Sequence, residues 1–205
     1  RPVSLNSYGS RLILNPNPQL PETCEECPVE KDCRYYKKPR LASQEDSAEE
    51  DLLDYVRFSD RCIYNIDKDN IDVQTINLEY ENGAVANFML NFNCGGPQSG
   101  RNFHAIGLKG RLWGNMGLHR LYHYDNRTNK VTEHDTSGDG SGHGGGDAAH
   151  SMKLVQMIED PNYRPEQNAA AGYLSAVMCF ASDVSRTERR RVELKHRADG
   201  KIDLV

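Results

Sequence analysis

Two groups of residues have types and spacings that could do chemistry. The first is His143, set among glycines in the stretch SGDGSGHGGG at 137–146, with Asp147 directly after it. A histidine flanked by glycines has little neighbouring bulk to keep a ligand away. Asp147 opens a helical pattern as a candidate N-cap, where backbone N–H groups also point outward. An imidazole and a carboxylate so placed can hydrogen-bond the hydroxyls of a polyol. They are equally readable as a solvated histidine and a plain cap. The second group is Cys24-x2-Cys27-x5-Cys33, with Cys62 further along. A C-x2-C turn offers two thiolates to one metal, and Cys33 and Cys62 could complete a tetrahedral structural zinc. A disulfide, in an exported protein, and unligated thiols are the other readings. The spacing is too open for the usual iron–sulfur runs. Cys94 and Cys179 read as small hydrophobes.

Other constellations fail on context. Gly140–Gly145 matches G-x-G-x-x-G, but helices follow it rather than a second parallel strand ending in an acid, so no dinucleotide site is read there. Asp139-x3-His143 would share a face on a helix. In a glycine-rich loop the spacing guarantees nothing. The remaining histidines form no metal-ligand spacing. There is no G-x-S-x-G elbow and no P-loop lysine.

These residues need elements to hold them. Residues 3–14 read as an opening strand. Residues 15–47 carry Pro16, Pro18, Pro21, Pro28 and Pro39 without periodicity, so they form a long loop that needs a clamp or a function. A short helix is expected at 48–57. Ile76, Leu78 and Tyr80 then alternate with polar neighbours. After Asn82-Gly83, Ala86, Phe88, Leu90 and Phe92 alternate with Asn87, Met89 and Asn91, which predicts a hairpin. Further strands are expected near 101–108, 111–114, 118–125 and 130–135. Past the glycine loop the period becomes helical. Leu154, Val155 and Ile158 share one stripe; Tyr173, Val177, Phe180 or Ala181, and Val184 share another, in a helix at 166–188. Residues 190–195 read as a last edge strand. The order predicts an α+β fold: a large, mostly antiparallel open β-sheet with helices packed on one face.

Composition bounds the rest. Over 205 residues, 25 Lys and Arg stand against 30 Asp and Glu, a net charge of −5. Residues 43–54 hold six acids and no base, so the remainder is near neutral. No basic field exists to bind nucleic acid or a membrane surface, and no apolar run is long enough to span a bilayer. The chain opens on Arg1 without a leader pattern, and it reads as a single domain, 1–205, cut from something longer.

In order, RPVSLNSYGS (1–10), CPVEKDCRYY (27–36), RCIYNIDKDNIDVQTINLEYENGAVANFML (61–90), GRNFHAIGLKGRLWGN (100–115) and SGHGGGD (141–147) cover most of the chain. In combination they resemble the C-terminal domain of Gfo/Idh/MocA-type oxidoreductases. The resemblance implies a domain that shapes a sugar, inositol or polyol site and makes homo-oligomer contacts through its sheet face. It implies NAD or NADP held by an N-terminal Rossmann domain outside this chain. The Glu-Lys-Pro lysine and the helical Asp-x3-His pair of the family also precede the matching strand, so this chain alone should not transfer hydride. Glu30-Lys31 is followed by Asp32, and so is not that motif. Carried over residue by residue, His143 and Asp147 match the substrate-proximal glycine loop, and Arg101 lines the same face. No catalytic residue is expected here. A cytoplasmic location is expected. Two other readings stand beside this one: a zinc-stabilised, non-enzymatic assembly module, and the same domain in an NAD-dependent glycosidase.

Overall fold

The computed structural model describes residues 1–25, 27–36, 61–93, 100–138 and 145–205. The helix expected at 48–57 lies outside them. Contacts divide the chain into two compact units: Arg1–Phe92 with Ser182–Val205, and Asn93–Ala181.

The first unit is built on β1 (Pro2–Ser10), β2 (Val73–Tyr80), β3 (Val85–Asn91), β8 (Val192–His196) and β9 (Ile202–Leu204). They form one antiparallel sheet in the order β3-β2-β1-β8-β9. The Asn82-Gly83 turn joins β2 to β3 as its sequence predicts. Gly83 has φ 81°, and its N–H donates to the Tyr80 carbonyl at 2.8 Å. A side chain there would be strained. The alternation of Ile76 and Leu78 keeps one face apolar, and Leu5 of β1 lies beside Leu78 on one side and Val192 on the other. Leu5, Val192 and Leu194 are buried.

The end of the long helix covers this face. Helix α2 (Ala169–Glu188) is a strong helix former through AAAGYLSAV, and its last turns lie in the first unit. The Ser7 N–H donates to Ser185 Oγ at 2.9 Å, and Ser185 donates in turn to the Arg190 carbonyl at 2.5 Å. Gln74 Nε2 donates to Ser7 Oγ and Ser182 Oγ. Small residues let the helix approach. A methyl group on Gly9 would stand 2.9 Å from Ile71 and 3.2 Å from Arg186. Of the two candidates on the stripe, Ala181 is the buried one and Phe180 is exposed.

The second unit holds β4 (Asn102–Gly107), β5 (Gly110–Asn115), β6 (Arg120–Asp125) and β7 (Lys130–Asp135), a meander of sequential antiparallel hairpins. A single 3-10 turn at Met116–Leu118 joins β5 to β6, with Asn115 Oδ1 accepting from the Gly117 and Leu118 N–H groups. Gly110 and Gly114 admit close backbone; a methyl group on Gly110 would meet the Tyr124 carbonyl at 2.0 Å. Helix α1 (Gly146–Glu159) follows the glycine loop. Its apolar stripe forms but is not buried; Ile158 is 76% exposed.

The α+β class and the antiparallel pairing stand. The strands divide between two sheets, of five and four strands, where the alternation alone suggested one. Period-two patterning says that a strand has an apolar side, but not which sheet receives it. Strand β9 had no expectation, being too short to show a period.

Replacing Ser185 by Ala tests the helix-to-sheet staple. It leaves the Ser7 N–H and the Arg190 carbonyl without their partner inside the fold. Urea unfolding should show a loss of about 1–3 kcal/mol at unchanged slope.

Candidate functional site

Asp147 lies in the first turn of α1, but Gly145 takes the cap position, with φ 89° and no side-chain cap bond. The cap thus lies two residues before the expected Asp147. The third consecutive glycine, Gly146, is already helical, which moves the helix start ahead of Asp147. A carboxylate in a first turn still complements the helix dipole. The Ser151 hydroxyl donates to the Asp147 carbonyl at 3.0 Å. His143 and Asp139 lie outside the described residues. Arg101 is exposed just before β4, with its carbonyl accepting from the Met116 N–H. Arg101 and Asp147 belong to the same unit.

Thr23 and Arg61 form an isolated antiparallel bridge, and the Cys62 N–H donates to the Glu22 carbonyl at 2.7 Å. Next to this bridge Cys24 and Cys62 are buried, at 7% and 6% exposure. Cys27 and Cys33 are half-buried. The Cys27 N–H donates to the Cys24 carbonyl, closing the C-x2-C turn. Burial raises the pKa of the Tyr64 phenol, and the neighbouring Cys33 and Cys62 add to the effect. All four thiols are free of disulfides. Among the described residues no three His, Cys, Asp or Glu side chains gather closely enough to hold a metal ion. Cys24, Cys27, Cys33 and Cys62, the expected zinc ligands, are all among the described residues. Cys94 lies outside the described residues.

Sequence reasoning missed what clamps the loop. Asp72, 2% exposed, accepts from the Leu12, Ile13 and Leu14 N–H groups at 2.7–2.9 Å. Asn65 accepts from the Asn17 N–H and donates to the Leu20 and Pro21 carbonyls. Lys68 Nζ donates to the carbonyls of Ile63, Tyr64 and Ile66, and Arg11 donates to the Lys68 carbonyl. Burial and the nearby Arg11 push Lys68 below the usual lysine value. These residues sit in a polar run, NIDKDNID, that reads as plain loop. Nothing in their spacing announces the clamp.

Two further surfaces carry ordered polar groups. On the five-stranded sheet, Asn6, Asn77 and Asn87 form a cross-strand row, with Asn77 donating to Asn6 at 3.1 Å and Asn87 to Asn77 at 2.9 Å. Beside them Glu79 accepts from Ser4 and pairs with Arg191 at 2.7 Å. These residues line a shallow groove. On the four-stranded sheet, Trp113 and Tyr122 stack at 5.4 Å and 15°, and the Arg111 guanidinium lies over both Trp113 and Tyr124. Arg120 pairs with Glu133 and Asp135. Asp135 is held well below the usual carboxylate range by the Ser137 hydroxyl and N–H and then by Arg120. The alternation of Arg111 with Trp113, and of Tyr122 with Tyr124, was the available signal for this face.

Asp72 gives a pH test. Burial raises its pKa, but the three N–H donors outweigh burial and set it below the ordinary value. The stability it supplies is therefore full above the unfolded-state pKa and is lost as pH falls through the lower, folded-state pKa. Asp72→Asn should cost about 2 kcal/mol at neutral pH. The gap between variant and wild type in urea unfolding should shrink below about pH 4.

Comparison with known proteins bears on the whole chain. No family model matches it. It is 28% identical over 121 residues to "Putative oxidoreductase YteT" of Bacillus subtilis (strain 168), which is 55% of this chain and 28% of that protein. It superposes on an oxidoreductase domain protein from Kribbella flavida with TM-score 0.59 at 16% identity, over 94% of this chain and 46% of the other. It superposes on levoglucosan dehydrogenase, solved with NADH and levoglucosan, with TM-score 0.59 at 14% identity, over 94% of this chain and 45% of the other. The chain thus spans less than half the length of each of these proteins. The resemblance read from the motifs is borne out in the fold: nearly all of this chain is shaped like one part of a longer oxidoreductase chain.

Proposed function

We propose that this chain is the substrate-binding and assembly domain of an NAD(P)-dependent oxidoreductase acting on a sugar, inositol or other polyol. The observation that carries the reading is the superposition over 94% of the chain on under half of two oxidoreductase chains, one solved with NADH and a sugar derivative. That share suits a C-terminal domain with a Rossmann domain ahead of it. In this reading NAD or NADP and the acid/base belong to that other domain. Hydride then passes between the nicotinamide and a carbinol carbon of the substrate.

This chain contributes position rather than reaction. His143 and Asp147 hydrogen-bond substrate hydroxyls from the glycine loop and the first turn of α1. Arg101, in the same unit, lines the approach. Homo-oligomer contacts are assigned to the open face of the five-stranded sheet, where the asparagine row and the Glu79–Arg191 pair lie. A structural zinc on Cys24, Cys27, Cys33 and Cys62 belongs to this reading as a clamp on the cysteine loop, beside the polar ties that Asp72 and Asn65 make to residues 12–21.

Kinetics on the full-length protein test the assignment. His143→Ala should raise KM for the polyol about tenfold, the loss of one hydroxyl contact, and leave NAD(P)H binding unchanged. Asp147→Asn should act in the same direction but more weakly. An unchanged KM in both variants, or a weakened cofactor affinity instead, would sink the placement of the substrate.

A further inference from the structure

Gly145 stands where the glycine loop meets α1, with its backbone at φ 89° and ψ −3°. That lies beyond the small left-handed basin open to residues with a side chain, roughly φ 50–70° and ψ 30–60°. His119, Asn129 and Arg189 use that basin in this chain, at φ 52°, 54° and 55°. Gly145 sits instead close to the third position of a type II turn, roughly +80° and 0°, which takes glycine or asparagine.

The helix does not need such a residue at its start. Serine, threonine, aspartate or asparagine in an extended conformation caps a helix and adds a side-chain hydrogen bond. Gly145 makes no such bond. Packing does not call for it either, because no residue of α1 is buried. The neighbouring Gly146 is already helical, where a glycine supplies no turn and weakens the helix. The demand on Gly145 therefore comes from the direction in which the chain enters α1.

We infer that Gly145 is a positioning residue of the substrate site, which rests on the substrate reading above and adds a backbone requirement to it. In sequence Gly145 lies midway between His143 and Asp147. Its left-handed backbone fixes the angle at which the segment carrying His143 joins the first turn of α1, where Asp147 stands. A side chain at Gly145 drives φ back toward the ordinary basin and swings one group away from the other. Gly145 acts through His143 and Asp147, having no side chain of its own to offer a ligand.

Steady-state kinetics on the full-length protein test it, with NAD or NADP and a panel of levoglucosan, inositols, aldohexoses and aldopentoses. Gly145→Ala should raise KM for the panel member turned over by about tenfold, with kcat held within about twofold. Gly145→Asn is bulkier but at ease in such a turn, and should lie nearer wild type. Bulk alone would reverse that order. Gly146→Ala, at a helical backbone, should leave KM unchanged. Gly83→Ala is the matched control, because φ is 81° there, nothing stands within 4 Å of an added methyl group, and the turn belongs to the other unit. It should lower the urea midpoint and leave KM unchanged. A wild-type KM in Gly145→Ala would overturn the inference. So would a Gly145→Asn or a Gly146→Ala as damaging as Gly145→Ala. If His143→Ala still raises KM in those cases, the substrate reading survives alone. A wild type that turns over no member of the panel overturns both.

Discussion

One buried carboxylate holds the first unit together. Asp72 gathers three consecutive backbone N–H groups, Leu12 to Leu14, where the chain leaves β1. Its own N–H donates to the Ser10 carbonyl, and its carbonyl accepts from the Phe92 N–H. A single residue thus joins the exit of β1, the entry of β2 and the end of β3. Successive N–H groups pointing at one anion form a concave nest, which favours the ionised carboxylate despite its burial. Lost without replacement, those three donors would stand unsatisfied beside the sheet, and each would cost of the order of 1 kcal/mol or more.

Around this point the described segments on either side of the cysteines, residues 11–25 and 61–72, are tied together. Asn65 and Lys68 tie their backbone carbonyls, and the Thr23–Arg61 bridge joins them. Cysteines in a long proline-rich loop invite a metal reading, because such a loop needs a clamp. The clamp here is made of amide, ammonium and carboxylate groups. Beside it, Cys24 and Cys62 are buried.

The two units use opposite strategies. The five-stranded sheet buries one face under the end of α2, with serine hydroxyls replacing bulk where the helix comes close. The four-stranded sheet leaves both faces open. It holds its shape through tight glycine-mediated turns, a stacked Trp113–Tyr122 pair and the Arg111 guanidinium laid over two rings. Cross-strand pairs of this kind each contribute fractions of a kcal/mol. They order a surface without enclosing a core.

The chain itself dictated local conformation. Asn82-Gly83 required a turn, the alternation from Ile76 to Phe92 required a hairpin, and the runs to Asp135 and through Val177 required strands and a helix. These follow from neighbouring residues, because side-chain period and permitted φ are local properties. Motif order along the chain also carried the resemblance that the superpositions later matched in fold. Tertiary structure alone decided the rest. Which sheet each strand joined, which of Phe180 and Ala181 turned inward, and where α1 began depended on partners distant in sequence. So did the selection of Asp72 from an ordinary polar run as the residue that closes the fold. A carboxylate acquires that role only when three N–H groups from some sixty residues away are brought to it, and no spacing within its own segment records their arrival.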